Sequence, residues 1–299
     1  MHKIRDRVAC AFAAIATLCA VTSAAAADLP SRAPAYKAPP PVAVPSWTGF
    51  YVGGSIGGRW ANSEWTTTCL TPTVPGNTCP LGGAGGVPIV FVTNNPANFD
   101  SASVRGGIYG GYNWQVSPQW VVGVEGDVAQ ADNKKSIVGI PGTLTPAVLA
   151  TTLDRSQVRA TWDAGIRARV GYLIDPSLLV FVTGGASWLH LEGSAFCGSP
   201  AAGIWCTIPA DRGATWTNTS TRTGWSVGGG LEWMWSRNWM IRGEYRYADY
   251  GTFSSIFFPQ VLPGPTSDSV AADIKMRTHT AIFGLAYKFD WGGPVVASY

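Results

Sequence analysis

The chain has 299 residues, of which 13% are charged, about half the share of an ordinary soluble domain, while its 36 Gly and 14 Trp are strongly over-represented. A formal net charge of +3 and 46% apolar residues exclude a disordered chain and a basic nucleic-acid binder. Past residue 27 no apolar run approaches the roughly 18 residues that a spanning helix needs, so what remains is an all-β chain and, above all, a transmembrane β-barrel.

In chain order, residues 1–27 read as a secretory signal peptide: basic Lys3, Arg5 and Arg7, an apolar stretch from Val8 to Val21, and Ala24 to Ala27 before Asp28. Its removal leaves 18 basic and 17 acidic residues, a net +1 that names no partner by charge. Residues 28–46 carry six prolines and no periodic pattern, the composition of an extended periplasmic linker. The barrel is assigned to residues 47–290 and a short tail to 291–299. Cys69 and Cys79 lie ten apart and Cys197 and Cys206 nine apart, which in an exported chain reads as two local disulfides. A zinc site lacks both a Cys-x-x-Cys pair and a nearby His.

After Trp47 a period-two pattern recurs eight times, with apolar residues on one parity and small or charged residues on the other. Phe50, Val52, Ile56 and Trp60 open it against Gly53, Gly57 and Arg59. Val104, Ile108, Tyr112 and Trp114 then oppose Arg105, Gly107 and Gly111, and Trp120, Val122, Val124 and Val128 oppose Glu125 and Asp127. The fourth run sets Val158, Ala160, Trp162, Ala164, Ile166, Ala168, Val170 and Tyr172 against Arg159, Asp163, Arg167 and Arg169. Val180, Val182, Ala186 and Trp188 form the fifth, and Trp225, Val227, Leu231, Trp233 and Trp235 the sixth, opposite Glu232. Trp239, Ile241, Tyr245 and Tyr247 face away from Arg242, Glu244 and Arg246, and Ala281, Phe283, Leu285, Tyr287 and Phe289 away from Lys288.

Tight turns near Ser117-Pro118, Asp175-Pro176 and Ser236–Asn238 alternate with long polar stretches at 61–102, 132–156, 192–221 and 251–274. That count predicts an eight-stranded antiparallel up-and-down barrel with short turns at one end and long extracellular loops at the other. A soluble lipocalin-like barrel would turn the apolar parity inward. The glycine-crowded polar parity suits a narrow interior, and the aromatics Trp114, Trp120, Tyr172, Trp235, Trp239, Tyr287 and Phe289 near the short turns suit an interfacial girdle, so the membrane barrel is preferred.

The start Ala27-Asp28-Leu29-Pro30, the segment Trp47-Thr48-Gly49-Phe50-Tyr51-Val52-Gly53-Gly54 and the ending Gly284-Leu285-Ala286-Tyr287-Lys288-Phe289-Asp290-Trp291 resemble the small outer-membrane barrels of alphaproteobacteria, the RopB-type immunogenic proteins within the OmpA-like superfamily. The resemblance spans essentially the whole chain after residue 27. It implies a structural role in the Gram-negative outer membrane, surface loops open to external partners, contact with outer-membrane lipid, and delivery by the barrel-assembly machinery through Gly284, Tyr287 and Phe289. Whether Phe289 or Tyr299 serves as the recognised end stays open. The ten residues after Phe289 leave no room for the peptidoglycan-binding domain of two-domain relatives.

Thirteen charges fall on the inward parity: Arg59, Arg105, Glu125, Asp127, Arg159, Asp163, Arg167, Arg169, Glu232, Arg242, Glu244, Arg246 and Lys288. In so narrow a tube they read as a salt-bridged plug, and the competing reading is the lining of a small anion-preferring porin. No cofactor and no enzymatic activity are expected. His190 and His279 have no acid, base or nucleophile at a motif spacing and read as rim residues; the resemblance leaves them a minor reading as haem ligands. Gly53–Gly58 lacks the Lys and helix of a phosphate loop.

Overall fold

The computed structural model describes residues 46–70, 96–141, 154–198, 212–258 and 270–289. The segment 1–27, the linker but for Ser46, the tail 291–299, and Cys79 and Cys206 lie outside the described residues. Nine strands are present among them: β1 (Gly49–Leu70), β2 (Ala97–Asn98), β3 (Ser101–Gln115), β4 (Trp120–Val138), β5 (Arg155–Asp175), β6 (Leu178–Phe196), β7 (Thr215–Met234), β8 (Trp239–Phe257) and β9 (Val270–Lys288). Apart from the two-residue β2, which adds to the upper part of β1, each strand pairs antiparallel with the next, and β1 pairs with β9. The sheet therefore closes into an eight-stranded up-and-down ring without free edges in its lower half.

The three tight turns lie together at one end. Asp175 stiffens one of them by accepting the Ser177 amide at 3.0 Å and the Ser177 hydroxyl at 2.7 Å, and these bonds hold its carboxyl below the usual carboxylate range. The lipid-side parity is as expected on the lower strands: Ile56, Val104, Ile108, Ile166, Val182 and Phe283 are all exposed on the outer face. Inward glycines let neighbouring backbones approach. A methyl group at Gly57 would sit 2.0 Å from the Ala281 carbonyl oxygen, and one at Gly185 would sit 2.1 Å from that of Ile166.

The expected girdle lies on the outer face at the turn end, where edge-on contacts join Trp120 to Tyr172 at 5.2 Å and Trp239 to Tyr287 at 5.3 Å. A second aromatic belt, formed by Trp60, Trp162, Trp188, Trp225 and Tyr247, circles the outer face higher up. Phe50 to Trp60, Tyr172 to Trp162 and Trp235 to Trp225 are each ten residues apart. At ~3.3 Å per residue and a tilt of ~40°, ten residues rise roughly 25 Å, the height of an outer-membrane apolar band.

The strands do not stop at that second belt. Most have 19 to 22 residues, about twice what a crossing requires. Stretches expected as loops are in fact strand: β1 continues to Leu70, β4 to Val138 and β6 to Phe196, while β7 starts at Thr215, β8 reaches Phe257 and β9 starts at Val270. Above the belt the outer face meets water and turns polar, with Asn62, Glu64, Lys134, Thr217 and Thr219 exposed. The interior there is apolar: Ala61, Trp65, Phe99, Leu189, Leu191, Phe257, Ile274 and Met276 form one buried cluster, with Trp65 stacked on Phe257 at 4.8 Å. Below the belt the barrel is built for lipid, and above it for water.

Two irregularities fit this change. In β5 the register shifts between Ala160 and Asp163, an extra residue that turns Val158 and Ala160 inward, against the parity expected for them. In β8 the register shifts between Asp249 and Thr252, where Gly251 takes a left-handed φ of 70° and its amide bonds the Asp249 carboxylate at 2.8 Å.

Candidate functional site

The expected site is the charged lumen, and inward positions of the lower strands bring most of its residues into one network. Asp163 receives Arg59 and Arg105, each at 2.6 Å. Asp127 receives Arg105 at 2.6 Å, Arg246 at 3.0 Å, and Arg167. Glu125 takes Arg242 at 2.6 Å and the Tyr51 hydroxyl at 2.7 Å, with Arg167 and Arg169 at 3.7 and 3.9 Å. Glu244 pairs with Arg246 at 3.0 Å and lies 3.6 Å from Arg242. Glu232 closes the chain with Arg169 and, at 3.4 Å, Arg242. Six arginines thus interleave with five carboxylates in an unbroken cluster whose side chains are at most 10% exposed.

Two of the thirteen residues assigned inward stand outside this network. Arg159 is a correction: the β5 irregularity puts it on the outer face, where it pairs with Asp132 at 2.6 Å and Glu192 at 3.3 Å and is 36% exposed. A strict alternation carried past residue 161 points it the wrong way. Lys288 faces inward but sits at the turn end, where its Nζ donates to the Ser46 carbonyl at 2.6 Å. The difference between buried and exposed pairs is measurable. Arg159→Gln is expected to change the unfolding free energy in a urea titration by less than about 1 kcal/mol, whereas Arg105→Gln, which takes a buried partner from both Asp163 and Asp127, should cost several times more.

Apolar layers cap the network at both ends. Toward the turns, Trp47, Tyr51, Tyr109, Leu173, Leu179, Phe181, Met234 and Met240 fill the lumen. Trp47 is fully buried there, with its indole N–H on the Pro176 carbonyl at 3.0 Å and its amide on the Gln115 side chain at 3.0 Å. The layer meets the charges through ring faces: the Arg242 guanidinium lies 4.5 Å from the Tyr109 ring and that of Arg169 4.5 Å from Phe181. Toward the other end stands the apolar cluster around Trp65. Sequence reasoning missed both layers. Their signal was the run of large apolar residues on the inward parity, such as Leu179 and Phe181 in β6.

His190 and His279 sit in the upper belt on β6 and β9, with β7 and β8 between them. His190 stacks on Trp162 at 5.4 Å and bonds the Thr221 hydroxyl at 3.1 Å; His279 bonds the Tyr245 hydroxyl at 2.6 Å. Among the described residues no three His, Cys, Asp or Glu side chains gather as a metal site. Cys197 is buried and disulfide-bonded. The expected pairings involve Cys79 and Cys206, which lie outside the described residues.

A sequence model of the outer membrane protein beta-barrel domain matches residues 11–289. The 31 kDa outer-membrane immunogenic protein of Brucella melitensis is 28% identical over 281 residues, covering 90% of this chain and 94% of that protein. The 25 kDa outer-membrane immunogenic protein of Brucella abortus is 27% identical over 285 residues, covering 91% and 99%. Among solved structures, the outer membrane protein OprG of Pseudomonas aeruginosa aligns over 81% of this chain and 96% of its own, at 12% identity and a TM-score of 0.40. The closed ring, the apolar band between two aromatic belts and a family match over nearly the whole length agree: this is an outer-membrane protein, and its chain belongs to the outer membrane protein beta-barrel domain family.

Proposed function

We propose that the protein is a sealed structural barrel that contributes to envelope integrity and presents its four long connections to partners outside the cell. The observation that carries this reading is the layered lumen: charges paired to one another, with apolar side chains above and below them. An ion crossing it would have to displace Trp47 or Trp65 and then break ion pairs in a medium of low dielectric. A porin lining, by contrast, needs charges that face water and exchange ions readily.

The outward band and its two belts support contact with outer-membrane lipid, and the exposed row Phe283, Leu285, Tyr287 and Phe289 on the last strand supports recognition by the barrel-assembly machinery. Purified protein inserted into planar lipid bilayers is expected to give no steady single-barrel current steps across ±100 mV. Reproducible steps of uniform size from the wild type would overturn the sealed reading in favour of a narrow porin.

A further inference from the structure

Just above the upper belt the barrel wall parts. β7 and β8 pair only from Met234↔Met240 to Trp225↔Asp249, although β7 stays on β6 as far as Thr215↔Phe196 and β8 stays on β9 as far as Phe257↔Val270. The cause is the irregularity at Tyr250-Gly251, which bends β8 away where pairing with Gly224 and Thr223 would continue. The strands meet again through Asn218, whose side-chain amide donates to the Ile256 carbonyl at 2.5 Å and to the Ser255 hydroxyl at 2.8 Å. Between these two ties lies a window into a cavity of about 350 Å³.

The floor of the cavity is apolar: Leu191 and Ile274 belong to the buried upper cluster and line it directly. Its mouth carries Arg222. That guanidinium stacks on the Phe253 ring at 4.1 Å and donates from Nε to the Ser220 hydroxyl at 3.1 Å. It makes no ion pair among the described residues, whereas each lumen arginine touches a carboxylate and Arg277 nearby holds Asp249 at 3.2 Å. Its two terminal amino groups are left to face an incoming group.

We infer that the window binds an anionic amphiphile, a medium-chain carboxylate or phosphate monoester, with its head on Arg222 and its tail against Leu191 and Ile274. The volume is at the small end of ligand cavities, roughly 300 to 1,000 Å³, and suits one short chain. An inserted peptide strand does not fit: it would need about 9.5 Å between flanking strands, and the Asn218 side chain alone bridges the gap. The height of the window, within three residues of Trp225 in the upper belt, lets a tail enter sideways from the membrane surface while its head stays in water.

The test uses the full barrel in amphipol, with decanoate, decyl phosphate and decanol titrated by calorimetry against an amphipol blank. One saturable site per barrel is expected for decanoate, decyl phosphate or both, the tighter one identifying the head group. Arg222→Gln should weaken it by about tenfold or more, the worth of a charge-assisted hydrogen bond. Decanol should bind at least as weakly to the wild type, Leu191→Trp should block the site, and Arg277→Gln should leave it unchanged. Heat-modifiable mobility on gels reports that each variant is folded, and Arg222→Gln, at a partly exposed position, keeps the test decisive if Leu191→Trp does not fold. The inference is overturned if neither anion binds saturably, if decanol binds as well as the anions, or if Arg222→Gln leaves affinity unchanged.

Discussion

Asp127→Ala is expected to lower the unfolding free energy of the barrel by about 3 to 5 kcal/mol, the usual cost of removing one partner from a buried ion pair. Asp127 is the junction of the lumen network, held by Arg105, Arg167 and Arg246, with its own side chain 4% exposed. Without it, Arg105 keeps Asp163 and Arg246 keeps Glu244, but the nearest carboxylate left to Arg167 is Glu125 at 3.7 Å. Arg167 is therefore the group stranded, and water reaching it sets where in the range the cost falls. A urea titration in lipid vesicles reads the change. The double variant Asp127→Ala/Arg167→Met should regain more than half of the loss, because a buried pair replaced as a whole by apolar groups costs little. A midpoint unmoved by Asp127→Ala would sink the network as a stabilising unit.

Trp65→Ala is expected to cost a similar amount, about 3 to 5 kcal/mol, by emptying the centre of the upper cluster. Trp65 is fully buried, stacked on Phe257 at 4.8 Å and set against Phe99 at 5.8 Å. The two variants should differ in where the damage appears. Trp65→Ala loosens the part above the membrane, so proteolysis of protein in vesicles should remove upper strand ends while the membrane band stays protected, and bilayers should remain silent because the layer around Trp47 still seals the tube. Loss of less than about 1 kcal/mol would mean that the upper cluster is not a packed core.

The lower half of the barrel was legible because lipid outside and charge inside impose opposite chemistry on alternate residues. Ile166 and Arg167, or Ile241 and Arg242, cannot exchange faces without putting a guanidinium into hydrocarbon. Above the upper belt that contrast weakens. Thr217, Thr219 and Thr221 of β7 face water and alternate with Asn218, Ser220 and Arg222, so the stretch reads as loop. Arg159 shows the second limit: one extra residue in β5 reverses the side chains that precede it, and no residue type marks the place. The upper belt was available from spacing alone, since Trp60, Trp162 and Trp225 each stand ten residues from an aromatic of the lower one. The partners of individual charges were not legible, because register between strands depends on the closed geometry of the ring.

The seam between β1 and β9 sets the order of events when this chain folds. Pairing runs from Tyr51↔Lys288 to Leu70↔Val270, so the contact that ends the ring joins positions 237 residues apart at one extreme and 200 at the other. Closing a flexible chain of that length costs on the order of 5 kcal/mol in entropy before any bond is returned. Every other neighbouring pair is a local hairpin and can form soon after its residues leave the export channel. The first strand must therefore wait with one edge unsatisfied until the last has been delivered. A nascent barrel is thus a curved open sheet whose slow, committing step is the meeting of its two ends, and a chain cut short anywhere before Val270 has nothing with which to finish.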